Sequence, residues 1–336
     1  MYTALLILVV TCGVSFLSAQ NCSVPSLTGT LYQKVDSEPQ NLTIEGSIQL
    51  EDDSFYLLIA NQSLPHLCRN SVNIQYELYV LQIRNVGLAD IQPRAFNITP
   101  TLGLLKISYN PLTSLKKGVF QGLRVKEIDC SNNFISSIDE EAFDGIPTLE
   151  VLRLSYNAIK QVSPEWFKNS PNVYKLSIIF NELTSLPARA FQNMAKDRPV
   201  KLRLSANRIQ DIDDDAFFSM GNIEILRLNG NKLATLPENL FVNRTIRHLE
   251  INTNKLLCFP DTLFHSGVAS LAFLDNPTFK CPCLEKVRHF VETQNIYIWY
   301  PAIICEDRAR EVNIVFNHNK TYELPLILPS TEATLG

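Results

Sequence analysis

The chain has 336 residues, with 30 lysines and arginines against 34 aspartates and glutamates, and a formal net charge of -4 at pH 7. This balance lacks the basic excess that is typical of a nucleic-acid-binding protein. We therefore expect no nucleic-acid partner.

Residues 1–19 form an uncharged apolar run that ends in small residues (LLILVV, then VSFLSA). The run predicts a secretory signal peptide cleaved near Ala19, although the usual basic residue after Met1 is missing. No later stretch reaches the roughly 20 apolar residues that a membrane helix needs. Residues 325–336 end polar and predict a tail that is neither a membrane span nor a lipid-anchor signal. We expect a secreted, extracellular protein.

Residues 20–77 are predicted to form an N-terminal cap in front of a series of repeats. Short β-prone runs (TLYQKV, NLTIEG and FYLLIAN) alternate there with turn-prone or acidic residues. The stretch FYLLIANQSL has the character of a degenerate first coil. Cys22 and Cys68 are the only cysteines of this segment. We expect them to bond to each other, as disulfides do in exported proteins.

Nine repeats fill residues 78–280, and the clearest copy reads LEVLRLSYNAIKQVSPEWF at 149–167. A copy has one apolar edge that it cannot bury alone, so the copies should stack. Asparagine stands three residues after every marker but the first, and phenylalanine stands thirteen residues after the first eight. The markers, each the third apolar position of its strand, are Ile83, Ile107, Cys130, Leu154, Ile178, Leu204, Leu228, Ile251 and Phe273.

This pattern resembles the leucine-rich repeat, L-x-x-L-x-L-x-x-N-x-L, in its 24-residue extracellular variety. Toll-type ectodomains and secreted arthropod leucine-rich repeat proteins are similar. The resemblance implies an α/β-type solenoid: a right-handed horseshoe with a concave parallel β-sheet, an irregular convex side and disulfide-closed caps. The repeat asparagines should bond backbone groups of adjacent turns, which makes them scaffold. Cys130 takes an inward position, so we expect a buried free thiol.

Residues 281–324 resemble the cysteine-containing C-terminal flank of that family. The resemblance is carried by C-P-C at 281–283, by a predicted helix in LEKVRHFVET and by Cys305. Apolar residues of this segment recur at helical spacing and suit a lid over the last repeat. They are Leu284, Val287, Phe290 and Val291.

Four cysteines are available to close the C-terminal end. A bond between Cys281 and Cys283 is sterically poor, which leaves two connectivities open. The family resemblance favours Cys281 with Cys305, and Cys283 with Cys258 in place of a partner that the family usually supplies further on.

Six N-x-[ST] sequons agree with export, and none falls on a predicted repeat strand. They begin at Asn21, Asn41, Asn61, Asn97, Asn243 and Asn319. We therefore expect glycans to leave the concave sheet bare.

No motif indicates catalysis, a metal or a cofactor. The chain lacks G-x-S-x-G, H-E-x-x-H and a phosphate loop. The aspartates of 211–215 fit a solvated acidic turn better than a calcium loop. Cys281 and Cys283, with His289 nearby, fit disulfides better than a zinc site. We expect a non-catalytic protein without a cofactor.

The candidate ligand site is therefore the concave face. Aromatic residues share one column in repeats two, four and five, and arginines stand one column over in repeats four, six and seven. These residues are Tyr109, Tyr156 and Phe180, with Arg153, Arg203 and Arg227. Exposed aromatics beside arginine are typical of protein-contact hot spots, and the competing interpretation is a solvated sheet with incidental aromatics. The patch suits a protein partner or an anionic microbial or glycan ligand.

The resemblance to Toll-type and secreted arthropod proteins favours a recognition module in innate immunity or cell adhesion. Two alternatives stay open, namely an extracellular-matrix structural protein and a secreted enzyme inhibitor. The N-terminal cysteine cluster and Ser-Gly attachment sites of small proteoglycans are not evident in this sequence.

Overall fold

The computed structural model describes residues 22, 24–32, 38, 40–46, 48–49, 54–299, 302–307 and 310–315. The predicted signal peptide, the tail and the sequons at Asn21 and Asn319 lie outside these residues. The N-terminal region contains β1 (Val24–Tyr32), β2 (Gln40–Gly46), β3 (Ile48–Gln49), β4 (Ser54–Ala60), β5 (His66–Leu67) and β6 (Val72–Ile74).

Short strands dominate the repeats. In chain order they are β7 (Leu78–Arg84), β8 (Asp90–Ile91), β9 (Phe96–Ile98), β10 (Leu102–Ser108), β11 (Ser114–Leu115), β12 (Val125–Asp129), β13 (Ser137–Ile138), β14 (Val151–Arg153), β15 (Lys175–Ser177), β16 (Ser185–Leu186), β17 (Val200–Arg203), β18 (Asp211–Ile212), β19 (Asn222–Arg227), β20 (Thr245–Glu250) and β21 (Ser270–Ala272). Two 3-10 helices, Glu238–Leu240 and Asp261–His265, lie on the far side of the last repeats.

The C-terminal cap contains α1 (Cys281–Gln294), β22 (Tyr297–Ile298), β23 (Ala302–Asp307) and β24 (Arg310–Val315). The predicted lid residues Leu284, Val287, Phe290 and Val291 are all buried. The helix begins earlier than predicted, because the C-P-C segment forms its first turn. Pro282 fits there, since a first-turn residue needs no N–H for the helix ladder.

One 13-stranded sheet runs through the molecule, in the order β2-β1-β4-β7-β10-β12-β14-β15-β17-β19-β20-β21-β22. From β4 to β22 its neighbours pair in parallel, whereas β1 pairs antiparallel with both β2 and β4. The predicted solenoid with a parallel sheet is confirmed. We call the side of this sheet that faces away from the core the sheet face; it is the face that was predicted to be concave.

The parallel series begins one repeat earlier than the predicted boundary at residue 78. Strand β4 pairs in parallel with β7, and its buried Ile59 stands opposite Ile83. The stretch that looked like a degenerate first coil is therefore a full strand of the solenoid. Its repeat has Gln62 and Val72 where later repeats have asparagine and phenylalanine, which is why the sequence pattern is weak there.

The side of the repeats opposite the long sheet carries short ladders, not helices. Two-stranded pairs β5-β8, β11-β13 and β16-β18 and the three-stranded β3-β6-β9 lie there. Within the part of the chain that the structure describes, the one α-helix is α1. The described part of the solenoid is therefore built from β-strands, and its one α-helix lies in the C-terminal cap.

Phenylalanines form a spine inside the repeats. Successive rings from Phe96 through Phe120 and Phe143 to Phe167 stack with centroids 6.0 Å apart, and Phe191 lies 5.5 Å from Phe217. Aromatic faces offset at this distance attract each other beyond the burial of their area. The repeats therefore share one continuous core.

The repeat asparagines tie each coil to its neighbours. Asn133 shows the pattern: its Nδ2 donates to the carbonyls of Ile107 and Cys130 at 2.8 and 2.9 Å, and its Oδ1 accepts the N–H of Asn110 at 3.0 Å. All of these asparagines except the partly buried Asn157 are buried, so most of their bonds satisfy backbone groups that water cannot reach. The predicted scaffold role is what the structure shows.

Disulfides lie at both ends. Cys22 bonds Cys68 and Cys258 bonds Cys283, with Cα–Cα distances of 5.7 and 5.5 Å. Both are pairs that the sequence analysis favoured. Cys281 is also disulfide-bonded; its pairing with Cys305 stays a prediction, because the side chains of β23 are not among those described. Cys130 is a buried free thiol, and burial raises the pKa of that thiol.

Candidate ligand-binding face

Every repeat leaves the long sheet through a residue in the left-handed backbone region. We call these residues the left-handed column; their φ angles lie between 51 and 68°. They are Asn61, Asn85, Tyr109, Asn132, Tyr156, Phe180, Ala206, Gly230, Thr253 and Asp275. Asn, Gly and Asp adopt this region at little cost, whereas other residues lose about 1–2 kcal/mol there. The two tyrosines and the phenylalanine therefore stand where the backbone disfavours them.

Two of the three predicted aromatic residues touch each other. The rings of Tyr156 and Phe180 stack with centroids 4.6 Å apart and planes 18° from parallel. Their exposed fractions are 51% and 50%. Tyr109 is separated from them by the repeat that carries Asn132, and the guanidinium of Arg84 lies 4.8 Å above its ring. The structure thus gives one stacked pair and one separate tyrosine, not a continuous patch of three.

Phe134 belongs to this edge and was missed by the sequence analysis. It lies two residues after Asn132 and is 66% exposed, more than any other large apolar side chain that the structure describes. Consecutive repeats therefore present Tyr109, Phe134, Tyr156 and Phe180 at the carboxyl edge of the strands. The sequence signal was a large apolar residue directly after a repeat asparagine, at a position that does not belong to the core pattern of the repeat.

The three predicted arginines do not form a row of free positive charge. Arg153 Nε lies 2.5 Å from Glu127 Oε1, although its N–H is not aligned for a hydrogen bond. Arg227 Nε donates to Glu250 Oε1 at 2.9 Å. The prediction of a positive border is corrected here: acidic residues one strand away offset two of its three members. Sequence columns show which residues share a row but not which neighbours they pair with.

The third predicted arginine, Arg203, and the neighbouring Lys175 lack such acidic partners at the centre of the sheet face. Lys175 and Arg203 form no ion pair among the residues that the structure describes, while nearby Lys201 pairs with Glu224 at 3.1 Å. Burial lowers the pKa of Lys175, and the charges of Arg153 and Arg203 add to this effect. Burial also lowers the pKa of Arg203, with the charges of Arg227 and Arg153 contributing.

A second aromatic cluster lies at the N-terminal end of the same face. The Tyr79 ring stacks on Phe55 with centroids 5.2 Å apart, and Tyr56 donates its hydroxyl to Gln82 Oε1 at 2.8 Å. Tyr79 also lies over Gly103, where an added Cβ would come within 2.5 Å of the ring. Glycine is therefore required at position 103 for this ring placement.

The sequons do not all avoid the long sheet. Asn61 stands in the left-handed column directly after β4, and its Oδ1 accepts a hydrogen bond from Asn85 Nδ2 at 2.9 Å. Asn41 lies in β2, and Asn97 lies in β9 on the opposite side. Asn243 is exposed. The expectation that sugar leaves the sheet bare stays a prediction, and the positions of Asn61 after β4 and of Asn41 in β2 count against it at this end of the sheet.

No three His, Cys, Asp or Glu side chains among the described residues are grouped as a metal site would require. In the 211–215 turn, Asp213 Oδ1 accepts the N–H of Asp215 at 2.9 Å, as in an ordinary Asx turn. No helix in the described segments has the length and apolar character of a bilayer span.

Comparison with known proteins gives matches of three kinds. The family described as Leucine rich repeat matches residues 124–178 and 200–256. The NT-3 growth factor receptor of Macaca fascicularis is 42% identical over 121 residues, covering 34% of this chain and 14% of the receptor. The Homo sapiens receptor is 40% identical over 121 residues, which again cover 34% of this chain and 14% of the receptor. The match thus spans about one seventh of the length of these relatives.

A solved structure is similar over more of the chain. The match to a chain of the Drosophila Toll–Spatzle complex covers 76% of this chain and 40% of that chain, with a TM-score of 0.57 and 17% identity. At that identity the likeness concerns the fold alone. It extends well beyond the two segments that the family pattern matches.

Proposed function

We propose a function for this chain from the premise that it is a leucine-rich repeat protein. Its role is that of a secreted, non-catalytic recognition module, which binds a protein or a microbial or glycan ligand through the sheet face, in innate immunity or cell adhesion. The covalent frame supports an extracellular setting, because disulfides persist in oxidising compartments.

The Tyr156–Phe180 stack carries the proposal. Both rings are half exposed, and both residues occupy backbone positions that favour Asn or Gly. Neither fills the core, so folding gains nothing that offsets this cost apart from their mutual contact. Backbone strain and exposed aromatic area together are typical of contact sites, where the partner buries the rings.

The related proteins agree with a binding role. The matched relatives are by name growth factor receptors, and the similar solved structure is Toll in complex with Spatzle, described as a hub in development and innate immunity. Both descriptions concern recognition of another protein. For the present chain they support binding rather than turnover, and a protein ligand before other kinds.

The test is the double variant Tyr156→Asn with Phe180→Asn. Asparagine suits the left-handed backbone, so the variant should keep its fold while losing the aromatic surface. Immobilised wild-type protein is used to capture partners from the extracellular fluid of its own source. We expect the variant to bind the captured partner at least about 30-fold more weakly, as for a hot spot worth about 2 kcal/mol.

The matched control is Phe218→Asn, which removes a 45% exposed ring that lies outside the long sheet. It should bind the partner like wild type. Unchanged binding by a folded Tyr156/Phe180 variant would contradict the proposed site. Loss of binding on Tyr79→Ser alone would move the site to the N-terminal aromatic cluster.

A further inference from the structure

The centre of the sheet face holds four cations on three neighbouring strands. In one row, Ser177 stands between Arg153 and Arg203 as the cross-strand partner of both. In the next row, Lys175 stands directly opposite Lys201. Neighbouring strands are about 4.8 Å apart, so these side chains lie within reach of one another.

Acidic residues offset only half of this charge. Arg153 has Glu127 and Lys201 has Glu224 as ion-pair partners. Lys175 and Arg203 have none among the residues that the structure describes, and Arg203 Nε is buried without a hydrogen-bond acceptor. Two positive charges are therefore left over at one place.

Like charges placed opposite each other destabilise a sheet, and partial burial strengthens their repulsion. Lys175 and Arg203 are both partly buried on the sheet face. Ser177, which stands between the two arginines, has a small buried side chain 3.0 Å from Ser155 Oγ, so no bulky group separates the arginines in this row. An oxyanion placed there would accept hydrogen bonds from Lys175 and Arg203 and remove the repulsion between them.

We propose that Lys175 and Arg203, above Ser177, bind a carboxylate side chain from an acidic segment of a protein partner. This inference rests on the proposed function, because it names the chemistry that the same face would recognise. Arg203 contributes a planar donor group that matches a carboxylate, and Lys175 contributes a point charge beside it.

Two observations favour a protein segment over an anionic glycan. First, Glu127, Glu224 and Glu250 lie around the two cations and would repel a densely sulfated chain. Second, the stacked Tyr156 and Phe180 rings, each about half exposed, place apolar area in the same repeats as the cations, which an apolar side chain of the same segment would cover.

The geometry also sets the spacing of the two contacts. Ser177 ends β15, and Phe180 follows three residues later in the same repeat. Because three residues span at most about 10 Å, the carboxylate and the apolar contact lie within that distance of each other along the chain. An extended partner segment spans this distance with three to four residues.

The test uses two fluorescein-labelled ten-residue peptides in a Gly-Ser background. One carries two adjacent glutamates four residues before a phenylalanine, and the other has glutamines in place of the glutamates. Binding to the full chain is measured by fluorescence polarisation at low ionic strength, where charge contacts are least screened. We expect the Glu peptide to bind wild type about tenfold more tightly than the Gln peptide.

The variant Lys175→Met with Arg203→Met should reduce that ratio to about one, while Lys232→Met with Lys255→Met should keep it near ten. The second pair removes the same charge from adjacent repeats, at exposed lysines outside the sheet rows. Comparing the ratios measures the coupling between the carboxylates and the cations, independent of any general loss of affinity. Should the first variant lack a cooperative unfolding transition, the single substitutions Lys175→Met and Arg203→Gln are compared in the same way.

A ratio near one on wild type, or a ratio unchanged in the Lys175/Arg203 variant, would overturn the proposal. It would equally fail if a heparin octasaccharide lost binding in that variant while the peptide ratio stayed at one, because the ligand would then be an anionic glycan. None of these results touches the proposed function, which is decided by the Tyr156 and Phe180 variant against the captured partner.

Discussion

Two columns run the length of the repeats side by side, one residue apart in each repeat, and they obey different constraints. The asparagine column is buried apart from the partly buried Asn157 and is nearly uniform, because each amide bonds backbone groups of its neighbours. The left-handed column shares one backbone conformation but holds Asn, Gly, Asp, Ala, Thr, Tyr and Phe. Residue identity is set by the fold in the first column and left open by it in the second. The exposed aromatic residues in the second column are therefore not required by the fold, in agreement with the proposed contact site.

Asn133 and Asn132 offer the most direct way to break this comparison, since the same residue type stands in both columns. Asn133→Ala removes the partners that this side chain gives to the buried N–H of Asn110 and the carbonyl of Ile107, whereas the Cys130 carbonyl keeps the amide of Asn157. We expect the free energy of unfolding to fall by about 3 kcal/mol. Denaturant unfolding monitored by circular dichroism measures the change.

Asn132→Ala is the matched control for that experiment. The Asn132 side chain is only partly buried, so the change should cost less than about 1 kcal/mol, mainly through the left-handed backbone. Equal losses for the two substitutions would show that the columns do not differ in the way described.

Thr253→Gly tests the backbone cost of the second column. Thr253 is exposed and has φ of 53°, a conformation that a β-branched residue rarely adopts. Glycine should raise the free energy of unfolding by about 1 kcal/mol, because relief of the strain exceeds the extra entropy of the unfolded chain. Thr253→Ala keeps the Cβ and should gain much less. A glycine variant less stable than wild type would be inconsistent with strain at this position.

Lys175→Met extends the test to the sheet face, where we expect the smallest effect. The pKa of Lys175 is lowered by burial and by neighbouring cations. Between that pKa and the unfolded value of about 10.4, the unfolded chain binds more protons than the folded chain. The destabilisation caused by the charged Lys175 is thus complete below its folded-state pKa and fades as the pH rises toward its unfolded-state pKa.

Removing this charge should therefore raise the free energy of unfolding at neutral pH by about half a kcal/mol, a small value because much of the side chain meets solvent. The advantage of Lys175→Met should shrink in a titration toward pH 10.5. An advantage that grows with pH would have the wrong sign and would argue against a repelled lysine.

The sequence predicts the repeat structure well, because each coil packs against its neighbours in the same way and so needs the same residue types at the same positions. Each marker, asparagine and phenylalanine performs the same task in every coil, so the period alone identifies the core, the scaffold amides and the start of the solenoid to within one repeat. The disulfides Cys22–Cys68 and Cys258–Cys283 follow from the few cysteines that flank the repeats.

The candidate site was less predictable, for a physical reason. Whether Arg153 reaches Glu127 or stays free depends on side-chain conformations across two strands, which no period records. The left-handed backbone of Tyr156 and Phe180 was not anticipated either, because aromatic residues carry no preference for it. The sequence also does not distinguish Lys175 from other lysines, because only the ion pairs of its neighbours show which cation on this face lacks an acidic partner among the described residues.

The parallel pairing of the long sheet has a consequence for how this molecule changes over evolutionary time. From β4 to β21 each strand pairs with the next in nearly the same alignment, with one irregularity between β17 and β19. Loss or duplication of one whole repeat would rejoin equivalent partners and leave the inner surface continuous. The molecule can thus lengthen or shorten in steps of one strand spacing, about 4.8 Å. The extent of the sheet face across its strands therefore changes only in whole steps of one strand spacing.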